Sequence, residues 1–241
     1  MTIKFFQPPV APGTPCLSPF CAKLDMLLQL SELDFERHVE GDPREGPKQK
    51  VPFIEENGER LGDSNFIAQH LRDKHGFDSL HHLSATHRAI GQMIISTVEE
   101  KLYWVLVHGR WHKPENATIM KSIFFGHIPD EAMREEIGNG AEQMIKNTLY
   151  GQGTGRHTDE EVFEIGRQII DDLSTLLGDS PCFYSETPTI IDACVFGSLV
   201  NFAHGPVHSS IADHLKSKPN LVRYMDQLTQ QYFPNLEKQA A

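Results

Sequence analysis

The apolar and polar positions in the first third of the chain alternate between strand-like and helix-like patterns. A short apolar run at residues 2–6 predicts a strand, and residues 35–40 predict a second one. Between them, an apolar run without helix breakers predicts a helix at residues 19–31. Ser18 and Pro19 are typical of a helix start, because serine caps the N-terminus and proline fits the first helical position. This segment therefore predicts the order strand, helix, strand.

A hairpin and a further helix complete this part of the chain. Residues 48–50 predict a short, irregular second helix. Asn57-Gly58 then separates two short apolar runs, which is a strong local hairpin signal, and Pro52 opens the first run. A proline suits the start or the edge of a strand, where a cis bond is also allowed. Asp63-Ser64 opens a helical pattern at residues 65–74 as a second capped N-terminus.

From residue 84 onward the pattern becomes helical. Apolar positions recur with a period near 3.6 at residues 84–107. Further helix starts, marked by proline or a capping residue, follow at positions 130, 158, 189 and 219. With residues 76–83 as a linker, the pattern predicts an α/β domain at residues 1–77 and an all-helical domain at residues 84–241.

Composition narrows the class of protein. With 241 residues and 39% apolar content the chain is long enough to bury a core, and its mean hydropathy of −0.37 is typical of a soluble globular protein. The net charge of −11 argues against nucleic acid and anionic membrane surfaces as partners. No apolar stretch is long enough to predict a membrane span, and no secretory signal is expected. Four unevenly spaced cysteines indicate a reducing, cytoplasmic location.

Two helix starts and one strand edge place polar groups where an anionic peptide can bind. Ser18 puts a hydroxyl, and Cys21 a thiol, at the positive end of a helix, which stabilises an anionic sulfur or a carboxylate. A serine that only caps the helix is the alternative interpretation. Asp63-Ser64 offers a second such end, and Val51 can pair with an extended peptide if its backbone N–H and C=O point outward. Together these features predict a site for a short peptide with acidic ends.

These features resemble the glutathione transferase superfamily. Residues 18–21 (SPFC), the Val-Pro pair at 51–52 and the Asp-Ser pair at 63–64 resemble its thioredoxin-fold domain, and residues 189–193 (TIIDA) resemble the N-capping box of its all-helical domain. Four segments are similar to the failed-axon-connections and metaxin-like branch: 50–54 (KVPFI), 61–67 (LGDSNFI), 155–158 (GRHT) and 192–197 (DACVFG). The resemblance covers nearly the whole chain. It implies an N-terminal thioredoxin-like, glutathione-binding domain followed by an all-helical one.

The resemblance implies glutathione as co-substrate and Ser18 as the residue that activates its thiol. A free thiol with a pKa of about 8.5 is mostly protonated at pH 7. A hydroxyl that donates a hydrogen bond to the sulfur, backed by a helix N-terminus, would favour the thiolate. Cys16, two residues earlier, is an alternative that would form a mixed disulfide with glutathione. Cys21 is interpreted as a small buried apolar residue.

The resemblance also implies the contacts with the peptide. Val51-Pro52 would pair with the peptide backbone and orient it. Asp63 would meet the γ-glutamyl amine, and Ser64 with its backbone N–H would meet the γ-glutamyl carboxylate. Lys50, or alternatively Lys48, would meet the glycine carboxylate, although a plain surface lysine is the other interpretation.

Aromatic residues and histidines cluster at the end of the first long helix of the helical domain. The resemblance places the second substrate there, in a pocket formed by Tyr103, Trp104, His108 and Trp111. The alternative, that this aromatic stripe belongs to the core, stays open. His108 and His112 have the i, i+4 spacing that can hold a metal ion, but no acidic partner is near in sequence and no metal is expected.

Two functions follow. The complete set of site residues favours a glutathione transferase that acts on a small electrophile. The resemblance to the failed-axon-connections branch, and the long proline-rich loop at residues 7–17, favour a non-catalytic interaction or scaffold protein instead. In either case the resemblance implies a homodimer.

Overall fold

The computed structural model describes residues 2–8, 13–39 and 43–236. Within them, four strands form one mixed sheet in the order β2-β1-β3-β4. The strands are β1 (Ile3–Phe6), β2 (Phe35–His38), β3 (Phe53–Glu56) and β4 (Glu59–Gly62). β1 is parallel to β2 and antiparallel to β3, and β3 is antiparallel to β4. Helices α1 (Pro19–Leu30) and α2 (Ser64–His75) share one buried apolar cluster with this sheet.

The hairpin and both helix starts are confirmed. Asn57 and Gly58 have positive φ angles of 56° and 82°, as a tight hairpin turn requires. The Val51-Pro52 peptide bond is cis. The predicted helix at residues 48–50 is wrong: this segment is a turn, since Gln49 has a φ of 52° that a right-handed helix cannot accommodate.

The rest of the described chain is helical. Eight α-helices follow: α3 (Ala85–Thr97), α4 (Tyr103–Trp111), α5 (Pro114–Phe125), α6 (Glu131–Gln152), α7 (Asp159–Leu177), α8 (Ile190–Ala203), α9 (Ser210–Lys216) and α10 (Pro219–Tyr232). A π-helical segment, Val98–Leu102, joins α3 to α4, so the single helix predicted at 84–107 is interrupted. No helix among the described residues combines the length and the apolar character that crossing a bilayer demands.

Helix α8 lies at the centre of the helical part. Residues 191–202 are all buried, and α8 packs against α1 as well as against its helical neighbours. The predicted capping box is confirmed: Thr189 accepts from the N–H of Ile191 at 3.1 Å, and Asp192 accepts from the N–H of Thr189 at 2.8 Å. The sheet part and the helical part thus meet along α1 and α8. The domain boundaries at 77 and 84 stay a prediction.

Candidate active site

Three chain segments meet at one end of the sheet. β1 ends there, and because β3 is antiparallel to β1, β3 begins there, with Phe6 opposite Phe53. β4 ends beside it, with Gly62 opposite Phe53. The N–H of Asp63 donates to the carbonyl of Pro52 at 3.4 Å. The topology therefore brings the loop into α1, the start of β3 and the start of α2 to the same edge.

Ser18 is the N-cap of α1. Its backbone is extended, and its Oγ accepts a hydrogen bond from the N–H of Cys21 at 3.4 Å. The side chain is partly exposed, and no oxygen of a described residue accepts from its hydroxyl. The hydroxyl lies at the positive end of the α1 dipole, where an external acceptor would compete only with the nearby Cys21 thiol among the described residues.

The four cysteines are free thiols and all are buried. Burial raises the pKa of Cys21 and Cys194 well above the usual value and that of Cys182 to about 12. Cys16 is fully buried, and its sulfur accepts from the N–H of Ser18 at 3.4 Å. A ligand at this edge can reach the Ser18 hydroxyl more easily than the Cys16 thiol.

The start of α2 leaves backbone donors open. Asp63 has a φ of 83°, and its Oδ1 accepts from the N–H groups of Asn65 (2.9 Å) and Phe66 (3.4 Å). The N–H of Ser64 and both backbone groups of Val51 make no backbone hydrogen bond to any residue that the structure describes. These are the groups that the sequence assigns to a peptide ligand.

The two candidate lysines differ in their surroundings. Both lysines are exposed and form no ion pair within the described part of the chain, but the ammonium of Lys48 lies 4.1 Å from the ring centroid of Phe66, whereas Lys50 has no such ring contact there. Lys50 is therefore the more available of the two for a carboxylate.

A buried ion pair links the starts of α1 and α2. Lys23, with a side chain only 1% exposed, donates to Glu99 and to Asn65, both at 2.7 Å. Asn65 in turn donates to Glu99 at 2.7 Å. The network holds the first turn of α2, and with it Ser64, against α1. Sequence reasoning missed it, because Lys23 and its partners lie 42 and 76 positions apart.

Tyr103 and Trp104 lie where α4 faces α1. The ring of Tyr103 is 4.9 Å from that of Phe20, edge to face, and 5.2 Å from that of Trp104. Tyr103 and Phe20, together with residues of the π-helical segment, line a crevice that is too narrow to hold a water molecule. Such segments are frequent at functional sites. Burial raises the pKa of Tyr103, so its hydroxyl stays protonated at neutral pH.

His108 and Trp111 face other parts of the molecule. Trp111 is 6% exposed and packs with Leu17 and Met120 in a separate apolar cluster, which favours the core interpretation for this residue. His108 is 1% exposed and bonds Asp159 on α7 at 2.8 Å. Burial lowers the pKa of His108 despite this carboxylate.

Asp159 is the acidic partner that the sequence did not reveal. One ligand atom each of His108, His112 and Asp159 lies within 4.8 Å of the others, as in a second group formed by Glu56, His70 and His75. Yet Nδ1 of His108 is buried without a partner, whereas a metal-binding histidine normally donates its second N–H to an acceptor. The expectation of no metal stays a prediction.

Comparison with known proteins identifies the family of this chain. Models of the glutathione S-transferase N-terminal and C-terminal domains match residues 19–116 and 166–228. An isoprene-epoxide–glutathione S-transferase from Rhodococcus sp. (strain AD45) is 30% identical over 91% of this chain and 94% of its own. The chain belongs to the glutathione S-transferase family.

Other glutathione S-transferase relatives confirm the narrower resemblance and the fold. Failed axon connections from Drosophila melanogaster is 26% identical over 98% of this chain, which spans 59% of that longer protein. Among solved structures, a beta-etherase from Sphingobium sp. strain SYK-6 shares 18% identity and a TM-score of 0.69, with 99% of this chain and 98% of that one covered. This likeness shows the fold, a thioredoxin-like domain followed by a helical one.

Proposed function

We propose that the protein binds glutathione at this edge of the sheet and activates its thiol for conjugation to, or exchange with, a small electrophile. The observation that carries the proposal is the Ser18 hydroxyl, partly exposed at the positive end of α1. The 30% identity to an isoprene-epoxide–glutathione S-transferase supports it.

In this mechanism Ser18 donates its hydroxyl hydrogen to the glutathione sulfur. The hydrogen bond and the N-terminus of α1 together favour the thiolate, and each unit by which the thiol pKa falls corresponds to about 1.4 kcal/mol. The thiolate then forms a carbon–sulfur bond while a leaving group departs or an epoxide ring opens. In the second case the released oxygen takes a proton from water.

The peptide contacts follow from the groups left open at this edge. Val51-Pro52 pairs with the backbone of glutathione and orients it, as an added strand would. The N–H and hydroxyl of Ser64 bind the γ-glutamyl carboxylate, and Asp63 binds the amine. Lys50 binds the glycine carboxylate. The helix N-terminus at Ser64 favours this anion electrostatically.

The electrophile is proposed to bind against Tyr103 and Trp104, where α4 faces α1. The resemblance assigns His108 and Trp111 to the same pocket. Since their side chains face other parts of the molecule, they contribute to it only indirectly, because they fix the packing of helix α4. The name of the Rhodococcus relative makes a small epoxide the first electrophile to test.

The proposal predicts a specific loss in Ser18→Ala. Calorimetry should show glutathione binding to both proteins with similar affinity. Ultraviolet absorbance of the bound thiolate at pH 7, and conjugation to a small epoxide, should fall by up to about tenfold for each unit by which the bound thiol pKa rises. Ser31→Ala, at the other end of α1, is the matched control and should retain both signals.

Two outcomes would contradict this assignment. Thiolate retained in Ser18→Ala but lost in Cys16→Ala would transfer the role to Cys16. The absence of binding heat at millimolar glutathione would reject the enzyme and favour the second candidate, a non-catalytic interaction or scaffold protein. That candidate is supported by similarity along 98% of the chain to Failed axon connections, whose name states no enzymatic activity. The homodimer and the cytoplasmic location stay predictions.

A further inference from the structure

A buried guanidinium lies behind the loop that leads into Ser18. Arg110 on α4 is 6% exposed; its Nη1 donates to the carbonyl of Leu17 at 2.6 Å, and its Nη2 to Oδ1 of Asn201 at 2.7 Å. Asn201 on α8 donates to the carbonyl of Cys16 at 3.0 Å. Two buried side chains of the helical part therefore hold the two residues that precede the N-cap.

Arg110 has no counter-ion among the described residues. No carboxylate there forms an ion pair with it, and its Nε is buried without a hydrogen-bond partner. The buried Lys23, in contrast, is paired with Glu99. Burial lowers the pKa of Arg110 to about 10, so the side chain remains charged at neutral pH. A buried charge without a counter-ion is unfavourable, so an anion that binds nearby would be stabilised by it.

The titratable groups that act on this guanidinium include no carboxylate among the described residues. They are Cys16, from the preceding loop, and Tyr103, from the same helix α4. Burial raises the pKa of Tyr103, so its hydroxyl is uncharged near pH 7.

We propose that Arg110 is a positioning residue for thiol activation, and that its uncompensated positive charge stabilises the glutathione thiolate held at Ser18. The inference rests on the proposed function. Arg110 acts in two ways: it fixes the backbone of Cys16 and Leu17, which sets the place of the Ser18 hydroxyl, and its charge receives a counter-ion when the thiolate forms. The protein then binds the thiolate form of glutathione more tightly than the thiol form, because the positive charge of Arg110 is present before the ligand binds.

The test is a pH titration of the thiolate absorbance of bound glutathione. Arg110→Met should raise the bound thiol pKa by about one unit, which leaves up to about tenfold less thiolate at pH 7. Arg110→Lys keeps the charge and should keep part of the depression. Asn201→Asp gives Arg110 a counter-ion but also removes the amide donor to the carbonyls of Cys16 and Gly197. Asn201→Leu removes the same donor without adding a charge, so the thiol pKa should be higher in Asn201→Asp than in Asn201→Leu.

Arg88→Met is the matched control. Arg88 also binds loop carbonyls, those of His81 and Leu83, but far along the chain from Ser18. Its loss should leave the bound thiol pKa unchanged. An unchanged thiol pKa in Arg110→Met, with glutathione still bound, would overturn the role of the charge and leave the proposed function standing. A wild-type protein that depresses no thiol pKa would overturn both. If Arg110→Met does not fold, the comparison of Asn201→Asp with Asn201→Leu decides the question, and equal thiol pKa values in these two variants would overturn the role of the charge.

Discussion

Asp63 adopts a backbone conformation that residues other than glycine rarely take. Its φ of 83° and ψ of 119° store strain of about 1–3 kcal/mol by the usual scale. Both hydrogen bonds that cap α2 end on Oδ1, so Oδ2 has no partner within the described part of the chain. The proposed contact with the γ-glutamyl amine would use this second oxygen, so binding and capping can be tested separately at Asp63.

Asp63→Asn separates these two roles. Asparagine keeps an oxygen for the cap and tolerates a positive φ, so the free energy of unfolding in urea should change by less than about 0.5 kcal/mol. The lost charge should weaken glutathione binding about tenfold in calorimetry, because hydrogen bonds to charged groups are the stronger ones. Glutathione acetylated on its amine is the control ligand, and its affinity should be equal for both proteins. An equal loss for both ligands would contradict the assigned contact.

Single residues were predictable from sequence where their role is local. Ser18 and Asp63 were identified as caps because capping residues and the helical pattern lie within three positions of each other. The partners that hold these caps in place were not. Glu99 is 76 positions from Lys23, and Asn201 is 185 from Cys16. Only the packing of the folded chain brings them together.

At the scale of elements, α1 and α8 approach so closely that one position requires glycine. A Cβ built on Gly197 would lie 2.6 Å from the carbonyl oxygen of Pro19 and 3.0 Å from the nitrogen of Lys23. Both are backbone atoms of the first turns of α1, which cannot move without the whole helix. The position of Ser18 therefore depends on a glycine in another helix.

Gly197→Ala should destabilise the protein by about 2–3 kcal/mol, because the added methyl group overpacks two backbones. Urea unfolding followed by circular dichroism measures this. Gly140→Ala on α6 is the matched control: no heavy atom lies within 4 Å of its Cβ position, and alanine should stabilise that helix by up to about 1 kcal/mol. Equal effects of the two substitutions would show that α1 and α8 can separate freely.

The elements themselves followed from sequence where apolar periodicity and caps agreed. The hairpin and the helices that start at Pro19, Ile190 and Pro219 carry both signals. Helix α5 was not predicted, since among its residues only Ala117 and Met120 are buried and its apolar pattern is weak. Helix α9 was not predicted because it has only seven residues. The π-helical segment was predicted as part of an α-helix because its apolar residues are those that an α-helix would show.

At the scale of the whole molecule, Asp192 joins three parts of the helical core. It is fully buried; Oδ1 accepts from the N–H of Phe183 at 2.9 Å and the hydroxyl of Tyr224 at 3.2 Å, and Oδ2 from the N–H of Thr189 at 2.8 Å. Burial nevertheless raises the pKa of Asp192 to about 6. The resemblance predicted the capping box, but the contacts with Phe183 and Tyr224 depend on the tertiary fold.

This raised pKa makes the contribution of Asp192 to the free energy of unfolding fall with rising pH. Below a pH of about 4 Asp192 is protonated in both states; between about pH 4 and 6 the unfolded chain, with a pKa near 3.8, releases the proton while the folded protein keeps it. A difference of roughly 2 pKa units corresponds to about 3 kcal/mol of unfolding free energy lost by pH 7. Asp192→Asn does not titrate. The amide of this variant faces hydrogen-bond donors, so the variant should be less stable than the wild-type protein at every pH. The difference in unfolding free energy between the two proteins, measured in urea, should shrink by up to about 3 kcal/mol from pH 4 to pH 7. Other titrating groups cancel in this comparison, so parallel pH profiles would mean that Asp192 is already ionised in the folded protein at pH 4.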